Sequence, residues 1–363
     1  MTRRTAAVFA ENQPRRVAEE APRNSSTVLS LQSAAAAGRG RHSRDPQPAF
    51  SPISKNLFPR RAWFTPFSMK NLRLILCGTN LALVTFLGLS GCATPTDANK
   101  SLRESATLFA SFDQGLDADH ALGDKTLYGA THRNKPQDAT RGLPAGNIIT
   151  LAKGEGRFGD ALRFAKKSDA IIFFNGPGNF DYQRTNWSGS ISFWLKLDPD
   201  KDLEPGYCDP VQVSAGNWNN GVFFAEFSKD DPRRFRFALR PLVSIWNPNN
   251  VGWEKIPAQE RPMVEVEQPP FGADRWTHVV FTFANANTGQ TNGVGRLFLN
   301  GKPAGEFNQW NLSVNWNPEQ MLVSLGVLYV GLLDEVALFN RALSDGEVKK
   351  IYAQPNGLRA LLR

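Results

Sequence analysis

The run Arg-Phe-Arg-Phe-Ala-Leu-Arg at 234–240 places three guanidinium groups, Arg234, Arg236 and Arg240, on one parity of an alternating segment. Successive side chains of a strand point to opposite faces, so if Phe235, Phe237 and Leu239 enter a core the arginines leave it. The same reading turns Ser192, Trp194 and Lys196 outward in SISFWLKL (190–197). In WTHVVFTF (276–283) it turns out Trp276, His278, Val280 and Thr282, and in GRLFLN (295–300) Arg296 and Phe298. Cations and flat rings on one sheet face suit a sugar chain, because rings stack on pyranose faces and guanidinium groups pair with carboxylate or sulfate. The competing readings are an ordinary solvated sheet face, or packing beneath a neighbouring segment. Trp218, Trp246, Trp253, Trp310 and Trp316 fall in loop-like sequence beside Asn, Gly and Pro. Such rings serve either as binding platforms or as anchors that tie a long loop to the body.

Other chemistry leaves less trace. The four histidines form no triad pattern, and His278 is the one that sits on a well-defined strand. A lyase site built from Tyr or His with Arg stays open, since such sites assemble from distant strands without a compact motif. There is no phosphate loop or redox motif, and the scattered Cys and His give no zinc spacing. No catalytic residue is assigned.

The elements that must position these residues are short strands. From Ala106 onward the pattern has period two, in ATLFASF (106–112), ALRFA (161–165), DAIIFF (169–174), GVFFAEF (221–227), LYVGLLDEVALF (328–339) and the four runs above. Asn300-Gly301 suits the positive φ angles of a two-residue hairpin turn, so GRLFLN-GK-PAGEF reads as a hairpin. A single helix is expected at 345–353. Ser344 and Glu347 form a capping-box pattern, Leu343 and Val348 a hydrophobic staple, and Pro355 a stop. About 250 residues of short strands with one C-terminal helix predict an all-β fold, a two-sheet antiparallel sandwich.

Five stretches carry a resemblance. GRFGDALRF (156–164), SISFWLKL, WTHVVFTF, RLFLNGKPAG (296–305) and LLDEVALFNRALSDGEVKKIY (332–352) resemble successive signatures of the laminin-G-like, concanavalin A-type jelly roll, over residues 106–355. The last is the most specific. The middle, about 200–270, departs from the short form of that family by an insertion rich in Trp, Pro and Asn. The resemblance implies two curved antiparallel sheets of roughly 12 to 14 strands. It implies no single activity, since the fold hosts lectins, glycosidases, lyases and adhesion modules. It also implies a structural calcium shared by the first and last strands, on Asp113 and Asp334; the alternative is a turn-shaping Asp113 and a merely polar Asp334. The E-x-D-x-x-E-like strand common in glycosidases of this fold is missing, with Glu265-Val266-Glu267 the nearest run.

The start of the chain has its own logic. From Met69, MKNLRLILCGTNLALVTFLGLSGC has a basic end, an apolar core and small residues before Cys92, which is the layout of a secretory signal. Its L-S-G-C ending resembles the lipobox of bacterial lipoproteins, which implies lipidation at Cys92. Residues 1–68 hold eleven Lys/Arg against four Asp/Glu with no apolar period, and are expected to be disordered. Either translation starts at Met69 or a basic tail precedes the signal. The formal charge of +8 resides in this leading part; residues 93–363 carry 29 basic and 30 acidic side chains. The basic balance is therefore no argument for a nucleic-acid partner. With Cys77 in the signal and Cys92 lipidated, Cys208 alone remains, and no intrachain disulfide can form. Residues 93–105 read as a tether and 356–363 as a tail. The expectation is an exported, membrane-anchored envelope lipoprotein, probed toward the outer membrane by Ala93 rather than Asp after the cysteine. Its jelly roll is read as a carbohydrate- or glycoconjugate-binding module. The alternatives are a polysaccharide-degrading enzyme and a protein-adhesion or structural module.

Overall fold

The structure is a computed structural model that describes residues 95–216 and 219–362. The basic segment, the stretch expected to act as an export signal, Cys92 and Trp218 lie outside the described residues. In chain order the strands are β1 (Ala106–Ala110), β2 (His120–Ala121), β3 (Tyr128–Ala130), β4 (Thr140–Arg141), β5 (Ile149–Ala152), β6 (Ala161–Phe164), β7 (Ile171–Asn175), β8 (Trp187–Lys196) and β9 (Cys208–Ser214). There follow β10 (Val222–Phe227), β11 (Phe235–Arg240), β12 (Val264–Val266), β13 (Thr277–Ala286), β14 (Gly293–Leu299), β15 (Lys302–Trp310), β16 (Leu322–Val327) and β17 (Gly331–Phe339). The helices are short: α1 (Pro95–Ser105), α2 (Pro199–Asp202), α3 (Val243–Trp246), α4 (Asp345–Tyr352) and α5 (Arg359–Leu362). Among the described residues no helix is long and apolar enough to cross a membrane.

The strands form two antiparallel sheets. One has nine strands in the order β15-β14-β13-β8-β17-β1-β2, with β6 pairing β17 and β5 pairing β6. The other has eight, β12-β11-β10-β9-β16-β7-β3-β4. The surplus over the expected 12 to 14 strands comes from pieces of two to four residues, such as β2, β4 and β12. Period-two alternation builds the core between the sheets, with Phe223, Phe237, Phe281 and Trp187 fully buried. Phe237 of β11 and Phe281 of β13 stack across the sandwich with ring centres 4.0 Å apart. Burying one such ring contributes about 1.5–3 kcal/mol, so the two aromatic strands weld the sheets together.

Local signals behave as the chemistry requires. Asn300 (φ 51°) and Gly301 (φ 73°) make the two-residue turn between β14 and β15, which pair from Leu299 and Lys302. Ser344 accepts from the Glu347 amide while the Glu347 carboxylate accepts from the Ser344 amide, closing the capping box of α4. Two strands central to the eight-stranded sheet, β9 and β16, escape the sequence reading. Pro210 interrupts β9, a residue that normally argues against a central strand. It is accommodated because the pairing of β9 with β10 shifts register between Ala225 and Phe227.

The ends also differ from expectation. The supposed tether forms α1 from Pro95, and its Leu102 is fully buried. The supposed tail forms α5, with Leu358 and Leu361 buried. Together with Val348 and Ile351 of α4 they cover the outer face of the nine-stranded sheet at Phe109, Val280, Phe298 and Phe339. The apolar stripes were too short to register as helical periods, and it is this sheet face that stabilises them.

Candidate functional site

The candidate ligand-binding residues among the described ones divide between the two sheets and their covers, and so cannot form one groove. Trp194 (β8), His278 (β13) and Arg296 (β14) belong to the nine-stranded sheet; Arg236 and Arg240 (β11), with Arg234 just before them, belong to the other. Their outward parity is as read, since Phe235, Phe237 and Leu239 lie in the core. What differs is the cover.

On the nine-stranded sheet the cover is closed. Trp194 is 3% exposed, stacked on Tyr352 of α4 at 5.8 Å and met edge-on by Phe158 at 5.9 Å. His278 is fully buried, with Nε2 2.9 Å from the Ser192 hydroxyl and its ring 4.8 Å from Trp194. Burial pushes its pKa down to about 3, so it is a neutral core histidine that no ligand reaches. Arg296 is pinned to Asp345 at the start of α4 (2.5 Å) and to Glu306 (3.5 Å). These three residues are structural, and their assignment to a binding face is corrected.

On the eight-stranded sheet the cover is a loop rich in charge. The segment between β11 and β12 carries Trp246, Trp253 and Arg261 back over the sheet. Asn247 braces it by donating to and accepting from Val251, and Arg261 donates to the carbonyls of Trp253 and Ile256. Beneath it, Asp209, Glu226, Arg236 and Glu265 occupy one row across β9, β10, β11 and β12. Glu226 faces Arg236, which faces Glu265, and Asp209 lies at the register shift opposite Glu226.

Each charge in the row is partnered. Arg236 donates to Glu226 and lies 3.8 Å from Glu265, which also binds Arg234 at 2.9 Å. Gln212 donates to Asp209 at 2.7 Å. Rings complete the site. Arg236 sits 4.9 Å over Tyr207, and Arg240 sits 4.8 Å over Trp246 and 5.2 Å over Trp253. Trp246 is only 7% exposed and serves as an anchor, while Trp253 and Tyr207 remain half-buried at the rim. A depression of about 230 Å³ beside them is lined by Ala258, Gln259, Arg261, Met263 and Glu265.

The electrostatics follow from burial. Burial, then repulsion from Glu226, holds the Asp209 carboxyl well above the ordinary carboxylate range, against the pull of Arg240 and Arg236. Burial likewise raises Glu226, opposed by Arg236. Arg240 is pushed down to about 10, because burial outweighs the help it receives from Glu226. The face thus combines carboxyl acceptors, guanidinium donors and aromatic edges in a partly desolvated setting, which is what recognition of a polyhydroxylated ligand uses.

Sequence reasoning reached Arg234, Arg236, Arg240, Trp246 and Trp253 of this group and missed Asp209, Glu226, Gln212, Tyr207 and Arg261. One signal was present. Glu226 has outward parity in GVFFAEF, and pairing that run with RFRFALR as a hairpin sets Glu226 opposite Arg236. Nothing in the sequence marks Asp209.

The calcium expectation does not fit the residues present. Asp334 is fully buried and accepts from the amides of Phe158 (3.1 Å) and Glu335 (2.7 Å). Asp113 accepts from the Asp160 amide at 2.9 Å and lies 3.4 Å from Arg359. Both carboxylates therefore brace the 156–160 loop and face N–H donors, where calcium requires converging oxygens. Among the described residues no group of three or more His, Cys, Asp or Glu could hold a metal. The cation beside Asp113 is Arg359, which also donates to Asp119 (2.6 Å) and Ser111 (2.5 Å). Cys208 is a buried free thiol, pushed up by burial and inert.

Residues 177–349 match a laminin-G family model described as the concanavalin A-like lectin/glucanases superfamily, so the resemblance read from the sequence holds over that span. No curated protein matches the chain in sequence. Among solved structures it is similar to domain 4 of AbnA, a GH43 extracellular arabinanase from Geobacillus stearothermophilus, in complex with arabinotriose. That pair shares 17% identity at a TM-score of 0.41, over 69% of this chain and 100% of the other. It is also similar to the botulinum neurotoxin serotype D ligand binding domain in complex with N-acetylneuraminic acid, at 11% identity and TM-score 0.44, over 70% of this chain and 52% of that one. A third is the binding domain of Paraclostridial Mosquitocidal Protein 1, at 14% identity and TM-score 0.41, over 69% and 52%. The chain thus spans about half the length of the two toxin domains.

Proposed function

We propose that this chain is an envelope-anchored binding module that takes a carbohydrate on the outer face of its eight-stranded sheet. The observation that supports the reading is the convergence on that face of half-buried rings (Tyr207, Trp253), guanidinium donors (Arg236, Arg240) and carboxyl acceptors (Asp209, Glu226). A sugar presents apolar C–H surface together with hydroxyls that both donate and accept, and this face answers each. The test is a glycan array followed by calorimetric titration of the best ligand. Trp253→Ala and Tyr207→Ala are each expected to weaken binding at least ten-fold with little change in melting temperature. Full affinity in both variants would place the ligand elsewhere.

Anchoring belongs to the same proposal. A lipid on Cys92 would lie three residues before α1, whose Leu102 packs on the helical side of the nine-stranded sheet. Acyl chains contribute about 0.8 kcal/mol per buried CH₂, enough for two or three chains to hold a domain at a membrane. That face would turn toward the bilayer, and the charged face of the opposite sheet would turn away from it. Fractionation of cells expressing the wild type and Cys92→Ser tests this. Loss of the chain from the outer-membrane fraction in the variant is expected, and an unchanged distribution would remove the anchor.

A second reading, hydrolysis of the bound glycan, is favoured by one observation. Asp209 and Glu226 sit opposite each other on adjacent strands, and both carboxyls are held above their ordinary range. A pair of neighbouring carboxyl groups is the equipment of glycosidic cleavage. Release of reducing ends by the wild type, abolished in Asp209→Asn, would establish it. Absence of release at every pH from 4 to 8 would leave the binding module.

A further inference from the structure

We infer that this face takes a neutral saccharide, one of whose hydroxyls accepts a hydrogen bond from Nε of Arg236 once Trp253 has moved aside. The inference rests on the proposed carbohydrate site and names the ligand group that the site selects.

Three observations carry it. First, Nε of Arg236 is buried without a hydrogen-bond partner, in a side chain only 6% exposed. A buried donor left unpaired is costly, and a ligand oxygen that accepts from it removes the penalty. Second, the charge of this guanidinium is already answered. It donates to Glu226 and lies 3.8 Å from Glu265, which also binds Arg234 at 2.9 Å. In the strand register Glu226 and Glu265 flank Arg236 on either side. What is missing at Nε is therefore an acceptor and not a counter-ion. A carboxylate or sulfate placed there would lie between two acids in a poorly screened setting, whereas a hydroxyl accepts without adding charge. Third, the guanidinium lies 4.9 Å from the ring centre of Tyr207 and 5.9 Å from that of Trp253. A pyranose stacked on either ring brings its hydroxyls near Nε. Because Nε is closed to solvent, that contact requires Trp253 to move. Arg261 holds Trp253 in place, with its guanidinium 4.3 Å over the ring and its donors on the Trp253 and Ile256 carbonyls.

The test uses matched oligosaccharide pairs that differ at C6, a hydroxymethyl in one member and a carboxylate in the other, together with mono-deoxy analogues of the tightest neutral member. Affinities are measured by calorimetry on the protein carrying the described domain. The neutral member is expected to bind several-fold more tightly than its acidic counterpart, by a margin that narrows as salt rises. One deoxy analogue, lacking the hydroxyl that accepts from Nε, is expected to lose about ten-fold in affinity for the wild type. Arg236→Lys keeps the charge but lacks Nε, so the same analogue should lose nothing further in that variant. Such coupling separates a direct contact from a merely structural role. Arg261→Ala, which frees Trp253, is expected to raise the association rate several-fold. An unchanged rate would overturn the requirement that Trp253 move. An acidic member that binds as tightly as the neutral one, or more tightly, overturns the inference. So does a deoxy series with the same losses in the wild type and in Arg236→Lys, which would mean that water and not sugar satisfies Nε. If Arg236→Lys fails to fold, the wild-type pairs and the wild-type deoxy series still decide. These results leave the carbohydrate site standing as long as Trp253→Ala weakens binding; binding to no member of any pair overturns both.

Discussion

The outer faces of the two sheets make a natural experiment. Both present an arginine over an aromatic ring at outward parity, Arg296 over Phe298 and Arg240 over Phe224, and from the strands alone they read alike. The nine-stranded sheet is roofed by α1, α4 and α5, which bring Val348, Ile351, Leu358 and Leu361 and close over Trp194 and His278. The eight-stranded sheet is roofed by a loop held through its own hydrogen bonds, which brings Trp246, Trp253 and Arg261 over a row of three acids and one arginine. A helical roof supplies an apolar complement and turns outward residues into core. A loop roof lacks that complement and leaves the polar groups to satisfy one another, or a ligand. Parity tells which way a side chain points, and the roof decides what it does there.

The largest expected effect sharpens that contrast. Trp194→Ala empties a buried site under α4 and is expected to cost about 3–5 kcal/mol of stability, read from urea unfolding. The affinity of the folded fraction for glycan should not change. A Trp194 variant that kept its stability and lost its ligand would reverse the roles of the two faces.

Next in size is a pH effect on the roofed face. Burial, then Glu335, pushes the Asp334 carboxyl up to about 8, and burial raises Glu335 to about 7. Phe158, Glu335 and Leu358 amides hold these oxygens, and Asp113 adds to the repulsion. A carboxyl whose folded pKa is raised contributes stability that is fully present below its unfolded value near 4 and lost as pH rises through the folded one. The domain should therefore melt at a lower temperature at pH 8.5 than at pH 5.5, by an amount on the order of a few kcal/mol. Neutral His278 opposes this only below its unfolded value of about 6.5. Asp334→Asn, which resembles the protonated acid, should shrink the difference. An undiminished difference would assign the pH dependence to Asp209 and Glu226 on the other face.

Much of this architecture was legible in the sequence, for a reason that also sets the limit. Strands β8, β11, β13 and β14, the Asn300-Gly301 turn and the cap of α4 are specified by neighbours in sequence, and each behaves as its residues dictate. The group around Arg236 is specified by neighbours in space. Glu226 and Arg236 are a hairpin apart and recoverable; Asp209 joins them through a register shift, and Trp253 through a loop that no period describes. Asp334 misleads for the same reason. A bulge with Glu335 at φ 54° buries both consecutive acids, although alternation would expose one of them.

A smaller effect concerns the join between the first strand and the C-terminal segment. Arg359 ties α5 to Asp119, Ser111 and Asp113, so Arg359→Ala is expected to cost about 1.5–3 kcal/mol, the worth of hydrogen bonds to charged groups. Chelator should leave the wild-type melting temperature unchanged. A rise in that temperature on adding calcium would restore a metal to Asp113 and Asp334 and demote the arginine.

The smallest effect is the most discriminating. Arg296 and Arg236 are both outward arginines beside a ring, on strands that mirror one another across the sandwich. Arg296 stands a third exposed, with partners at Asp345 and Glu306 that are themselves half in water. Solvent screens such pairs, so Arg296→Ala should cost less than about 1 kcal/mol and leave glycan affinity untouched. Arg236 is 6% exposed, with a donor left over after its ion pair, and its replacement should be felt by the ligand. If the two substitutions weakened glycan binding equally, the helical roof would not be closing its face, and the division between a structural sheet and a recognising sheet would fail with it.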